Sequence, residues 1–372
     1  MQDAEPLSGP EELTKVDGTQ FWKQLIAEVM VSSYQFVDNN VDQWRYPERH
    51  PLLRPIKDRA LRALASAGLY RSPWNSLERL EAVLSAGPFE RTFELLEDNA
   101  SRQLLVKLIT FSIVGPHHCQ LPLSTKEYWQ SRKKLGRYIK SRNAVRGIPT
   151  FGALDLFDYN GVQMLTHSLQ VLNTFVMEQF RCQRAGIGVQ SGDVVIDGGA
   201  CWGDTSLYFA GRAQSVFAYE CMPFNLELFR RNLRMNPKLA SKVTVLEKAL
   251  WDKSGEELLF ESTGASSHIK SEGQGVRVKT EALDELVRAQ KLSRVDFIKL
   301  DIEGAELIAL RGAEETLHRF RPRLAICVYH SLADFIRIPE WLANLGLGYR
   351  FYLDHFTIYG EETILFAAPP NE

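Results

Sequence analysis

The sequence predicts an α/β protein. Its second half reads as a mostly parallel, Rossmann-like sheet of seven strands, and a mainly helical N-terminal half precedes it. Three observations carry this. From about Gly192, short and nearly continuous apolar runs alternate with segments of helical spacing, the pattern of parallel strands buried on both faces and joined by helices. The run VVIDGGACWGDT at 194–205 reads as a buried strand ending in a carboxylate, then a glycine turn, then a helix. Before residue 150 apolar residues recur at helical intervals, and no fixed-period repeat is present.

In chain order, Phe21, Trp22, Leu25, Ile26, Val29 and Met30 form a first helical stripe, and Leu61, Leu64 and Ala65 a second. Residues 98–101 offer capping side chains before Leu104, Leu105, Leu108 and Ile109. Pro51, Pro55, Pro73 and Pro116 punctuate the region. A basic stretch follows, with Arg132, Lys133, Lys134, Arg137, Lys140, Arg142 and Arg146, read as a solvated helix face or as a patch for an anionic substrate. Strands are expected at 193–197, 215–220, 243–247, 296–301 and 323–329, with helices at 204–212, 223–235, 282–291 and 304–318. Pro223 suits a helix first turn, Asn236-Pro237 a stop, and Thr280 an N-cap. Strands near 349–353 and 363–367 close the sheet as a hairpin. The division is 1–150 mainly helical, 151–190 connecting, and 191–372 a nucleotide-binding domain.

A chain of 372 residues suits two domains, and 45% hydrophobic with 24% charged residues is ordinary for a soluble protein. A net charge of −2 gives no electrostatic ground for a nucleic-acid partner, and no NPPY-type run for base chemistry occurs. Five scattered cysteines form no CxxC pair, so neither a disulfide framework nor a zinc site is expected, and a cytoplasmic location fits. The acidic, proline-bearing start is not a signal peptide, and no apolar run approaches the roughly 20 residues of a membrane span.

Glu220 ends the second strand, 23 residues after Asp197, where a carboxylate can accept both ribose hydroxyls of an adenosine. Cys201 stands where a dinucleotide site needs its second glycine. Asp197 and Asp204 would oppose a pyrophosphate at the helix start but favour a ligand with a sulfonium and an ammonium group. The charge pattern therefore points to S-adenosylmethionine rather than NAD.

FIKLDIEGAE at 297–306, followed by Leu310 and Gly312-Ala313, resembles the signature of the FkbM family of methyltransferases. So do the glycine turn, Tyr219-Glu220 with Pro223 and Asn225, Ala249-Leu250, Ser266-Ser267 and Val328-Tyr329-His330, while Asn173-Thr174-Phe175 with Glu178-Gln179-Phe180 is similar to a segment preceding the domain in some bacterial members. The resemblance implies a class I methyltransferase fold and O-methylation of a sugar or natural-product hydroxyl. It implies that Asp197, Gly199, Gly203 and Thr205 shape the methionine end of the cofactor pocket, with Gly198, Ala200, Trp202 and Asp204 in the same turn. Glu220 would hold the ribose, Asn225 would lie nearby, and Lys248 and Ala249 would border the adenine.

Transfer to an aliphatic hydroxyl, about as weak an acid as water (~16), needs a group to take its proton. Asp301, Glu303 and His330 are the candidates. His330 or Asp301 is the expected base, and a carboxylate–imidazole site for a divalent metal is the alternative. The plainer readings are an N-cap for Asp301, first-turn charges for Glu303 and Glu306, and a structural lysine at Lys299. His355 and the His117-His118 pair receive no role. Tyr219, Trp202 and Trp251 read as pocket walls or core. A polyketide or peptide acceptor, an NAD-linked oxidoreductase and a homodimer built through the helical half complete the field.

Overall fold

The computed structural model describes residues 17–35, 77–116, 118–148, 152–262, 267–270 and 274–370, with a few single positions between 37 and 67. Pro51, Pro55, Leu61, Ala65, Pro73, His117 and Ser266 lie outside the described residues.

Helix α1 (Thr19–Ser33) turns Phe21 and Leu25 inward. It is followed by α2 (Leu77–Ala86), α3 (Phe89–Leu95) and α4 (Asn99–Val114). Asp98 caps α4 as expected, accepting from Ser101 N at 2.7 Å. Apolar residues run right round α4, as befits a helix buried on most sides, and Phe21, Phe93, Leu105 and Ile109 share one cluster with Ile196, Ile298 and Leu353 of the sheet.

The basic stretch is helical only at first. Helix α5 (Lys126–Lys134) ends on Arg132, Lys133 and Lys134, a favourable charge for a C-terminus. The chain then enters a three-stranded antiparallel sheet of β1 (Ile139–Ile148), β2 (Gly152–Tyr159) and β3 (Val162–Thr166). The strand signal is hidden because the register of β1 shifts around Asn143, whose φ is 50°, so the two-residue alternation breaks. The division drawn at residue 150 falls between two paired strands.

The large sheet is built from β4 (Val194–Gly198), β5 (Ser215–Tyr219), β6 (Val243–Leu246), β11 (Phe297–Leu300), β12 (Arg323–Cys327), β13 (Arg350–His355) and β14 (Thr363–Ala368). Its order is β13-β14-β12-β11-β4-β5-β6, with β14 antiparallel to both neighbours and the other pairs parallel. Strand β4 and its neighbour β11 are buried at every position, which is why they read as unbroken apolar runs. Helices α6 (Asp204–Ala210) and α7 (Pro223–Met235) make the first crossovers, with Pro223 in the first turn and Asn236 ending α7.

Between β6 and the next crossover helix, α8 (Leu283–Ala289), lies a second small sheet absent from the sequence reading. It consists of β7 (Ala249–Leu250), β8 (Glu257–Ser262), β9 (Ser267–Lys270) and β10 (Val276–Glu281), in the order β7-β10-β8-β9. Thr280 belongs to β10 and does not cap α8. Its hydroxyl accepts from Glu256 N at 3.0 Å, and the cap position is Ala282. The helix expected over 304–318 is two: α9 (Glu306–Arg311) and α10 (Glu314–Phe320). They part at Gly312, where a Cβ would stand 2.1 Å from the Trp251 carbonyl oxygen. A further helix, α11 (Asp334–Asn344), packs on α3, and Thr92 Oγ1 donates to Phe335 O at 2.7 Å.

Candidate active site

Strand order reverses at β4, with β5 and β6 on one side and β11 and β12 on the other, so a crevice opens beyond the carboxyl ends of β4 and β11. Register decides what reaches it. Gly198 pairs with Tyr219 on one side and Leu300 on the other, so Gly199, Glu220 and Asp301 leave the sheet edge side by side. Two glycines of the turn answer to packing. Gly199 has φ 79° and a Cβ there would be 1.8 Å from Asp301 O, while one on Gly203, φ 86°, would meet the Phe229 ring at 2.1 Å. Cys201 also lies in the left-handed region, at φ 48°, so this loop reverses without the dinucleotide glycine.

The predicted turn residues come together, and most are engaged by the protein itself. Asp197 is fully buried. Its Oδ2 accepts from Thr205 Oγ1 at 2.7 Å and Ser206 Oγ at 2.6 Å, and its Oδ1 faces Lys299 Nζ at 3.2 Å. Lys299, equally buried, donates to the carbonyls of Gly198 (2.9 Å) and Gly199 (2.7 Å). Burial opposes its charge, but Asp197 and Asp301 more than compensate and its pKa is raised. The lysine thus ties the turn to β11, the structural role its place in a strand suggests.

Asp204 is buried and accepts from Thr174 Oγ1 at 2.6 Å, and burial raises it to about 6 against that hydrogen bond. Trp202 is fully buried and donates through Nε1 to Asn225 Oδ1 at 2.9 Å, and Ala200 is equally enclosed. Glu220 is 7% exposed, and its Oε1 accepts from Cys221 N (2.8 Å) and Met222 N (2.7 Å). Burial lifts its pKa to about 7 in spite of those amides.

Lys248 pairs with Glu281 Oε1, and Tyr219 Oη donates to the other oxygen of Glu281 at 2.7 Å. Glu281 belongs to no motif visible in the sequence, because it ends β10, a strand whose charged residues mask its pattern. Ala249 opens β7. A cavity of about 400 Å³ lies between α7 and β10, lined by Cys221, Pro223, Leu226, Lys248 and Val278 among others.

Asp301, Glu303 and His330 converge, and Glu306 joins them. His330 Nε2 lies 3.5 Å from Asp301 Oδ1 and 3.6 Å from Glu303 Oε2, and its Nδ1 is 3.2 Å from Glu306 Oε1. Asp301 is not a helix cap, since α9 begins at Glu306 after Ala305. Tyr329 Oη donates to Asp301 Oδ1 at 3.1 Å. Burial works against a charged imidazole here, but Glu306, Asp301 and Glu303 together outweigh it and raise His330 to about 9. With no other cation beside it, the ring thus favours its protonated form in the company of these carboxylates. Asp301 and Glu303, with side chains 23% and 30% exposed, are the members open to the cleft.

His355 is away from this group, bonded through Nδ1 to Thr363 Oγ1 at 2.9 Å, and His118 is buried. In the basic stretch, Lys140 and Arg142 lie 3.8 and 3.4 Å from Asp158 and Asp155, at exposed positions, which suits a solvated face. Among the described residues no helix is long and apolar enough to cross a membrane.

Residues 186–351 match the sequence model described as the methyltransferase FkbM domain. A crystal structure of methyltransferase FkbM from Methylobacillus flagellatus KT superposes with a TM-score of 0.52 at 18% identity, covering 86% of this chain and 72% of that one. An rRNA methylase from Streptococcus thermophilus (15% identity, 49% and 90% coverage) and a precorrin-6y C5,15-methyltransferase from Geobacter metallireducens GS-15 (13%, 57% and 93%) each give 0.34. No curated protein sequence matches the chain.

Proposed function

From the premise that residues 186–351 are an FkbM methyltransferase domain with the class I methyltransferase fold, we propose that this chain is an S-adenosylmethionine-dependent O-methyltransferase. Its acceptor is a hydroxyl of a sugar or of a glycosylated or other natural-product intermediate. One observation carries the reading: strand register delivers the glycine turn, Glu220 and Asp301 to one edge, with Glu303 and His330 beside Asp301.

The residues fit the cofactor. Glu220 is a carboxylate whose pKa burial raises in spite of its amide donors, and two ribose hydroxyls would add donors to the ionised form. Lys248 and the cavity beside Cys221 border the place where a base attached to that ribose would go. When bound, S-adenosylmethionine supplies a methyl group on a positively charged sulfur. The protein's part is to orient the acceptor, which is worth ~7–11 kcal/mol when reacting atoms are held in line. Asp301 and Glu303 are placed to receive the hydroxyl proton, and His330 holds the two carboxylates together. We place the enzyme in the cytoplasm, in keeping with its five free cysteines.

Calorimetric titration with S-adenosylhomocysteine tests the reading. Micromolar binding, about −8 kcal/mol, is expected for the native chain, with at least a tenfold loss in Glu220→Ala. Saturable binding of NADH without binding of S-adenosylhomocysteine would overturn it. Mass gain of 14 Da per methyl group (roughly, one CH₂) across a panel of sugar, polyketide and peptide hydroxyls then decides the acceptor class.

A further inference from the structure

We infer that Asp301, Glu306 and His330 form a binding site for one divalent cation. The site deepens the methyl-transfer reading of this cleft, and its role in catalysis rests on that reading. One ligand atom from each residue lies within 4.8 Å of the others, a span a single ion can bridge.

Polar atoms are left unmatched in the interior around this ring. Glu306 is fully buried. Its Oε1 accepts from Ile302 N at 2.8 Å, but its Oε2 has no hydrogen-bond partner among the described residues. The His330 side chain is 10% exposed, and neither ring nitrogen makes an aligned hydrogen bond, although carboxylate oxygens stand 3.2–3.6 Å away. Asp334 Oδ2, on α11, is also buried without a hydrogen-bond partner among the described residues. A first-turn carboxylate needs no burial to satisfy a helix dipole, so the dipole does not account for Glu306 lying inside beside an imidazole.

A buried carboxylate oxygen is unfavourable without a positive partner, and here the buried Glu306 shares one imidazole with the partly exposed Asp301 and Glu303. The backbone is shaped to gather them. Glu303 (φ 59°) and Gly304 (φ 94°) both take left-handed conformations, and the turn returns the chain so that residues 301, 303 and 306 address the same ring.

Two carboxylates and one imidazole are an oxygen-rich set with a single nitrogen, suited to Mn²⁺ or Mg²⁺. Glu303, 3.6 Å from Nε2, is close enough to join them. A cation here would take the acceptor oxygen as a further ligand and make its proton easier to remove.

The test uses the full chain stripped of metal by a chelator and titrated with MnCl₂ alone, free Mn²⁺ being read by electron paramagnetic resonance. One equivalent should bind. Spin-echo modulation from an imidazole nitrogen should appear, and both Glu306→Gln and His330→Gln should weaken binding at least tenfold. S-adenosylhomocysteine titration of the same variants checks that each is folded, and His330→Gln, being less buried, serves if Glu306→Gln does not fold. Glu220→Ala should keep the Mn²⁺ site. No stoichiometric binding by the native chain, or binding indifferent to both substitutions, would overturn the inference. Mn²⁺ binding without any S-adenosylhomocysteine binding would leave the cation site standing and sink the methyl-transfer reading instead.

Discussion

One ammonium group, that of Lys299, holds together three things at the heart of the site: the Asp197 carboxylate and the carbonyls of Gly198 and Gly199. Lys299→Met would leave Asp197 as a buried charge with only two hydroxyls. A loss of about 3–5 kcal/mol in urea unfolding is expected. Glu220 yields a prediction of different kind. Its folded pKa, about 7, lies above the usual carboxylate value, so the neutral acid is favoured in the free protein below that pH. Ribose hydroxyls donate to the ionised form. S-adenosylhomocysteine affinity should therefore fall as pH drops from 7 to 6, by up to about tenfold, and the fall should be absent in Glu220→Gln. A pH series of calorimetric titrations reads both. Asp301, Glu303 and His330 were legible as a group because each follows a recognisable strand. Glu306 was only half legible: an acid in a helix's first turn already satisfies a local rule, and nothing in the sequence says that this one points inward.

Among elements, the union of α7 with β3 is made by two amides one helical turn apart. Asn232 Oδ1 accepts from Leu165 N at 2.8 Å while its Nδ2 donates to Leu165 O at 3.2 Å, and Asn236 does the same for Gln163 at 2.9 and 2.6 Å. The helix thereby completes the free edge of the small sheet, standing in for a fourth strand. Asn232→Ala should cost about 2–4 kcal/mol, since it orphans buried backbone groups of both β3 and the glycine turn, whose Trp202 O also takes a bond from Nδ2 at 2.8 Å. Denaturant unfolding gives the magnitude, and faster hydrogen exchange at Gln163 and Leu165 locates it. The large sheet was readable for the same reason that β4 is buried throughout. Strands β8 and β10 were not, because sequences such as ELLFES and VRVKTE present one half-solvated face and carry as much charge as a surface helix. The basic strand β1 was missed at its irregular register.

For the whole molecule, groups pull the pH dependence of stability in opposite directions: Glu220 and Asp204, raised to about 7 and about 6, favour the folded chain as pH falls, and His355 opposes them. His355 lies buried on β13 and burial depresses its pKa to about 3. The unfolded chain, near 6.5, binds the proton that the folded one refuses. The stability this group contributes is complete above pH 6.5 and is lost as pH falls toward 3. Between pH 6.5 and 5 the part owed to this group should fall by about 1.5–2 kcal/mol, read as the change with pH in the difference in urea-unfolding stability between the native chain and His355→Gln. The same strand β13 carries a contact with a different consequence. Glu97 N donates to Phe351 O at 2.8 Å, and Leu96 bridges to Phe351, so the early helices close upon one of the last strands. During synthesis the ribosome releases the partners of Phe93, Leu96 and Leu105 some 250 residues (roughly 10–50 s at ordinary elongation rates) after those side chains themselves emerge. Through that interval their apolar faces await a sheet that does not yet exist, a window in which a nascent-chain chaperone would find its binding surface.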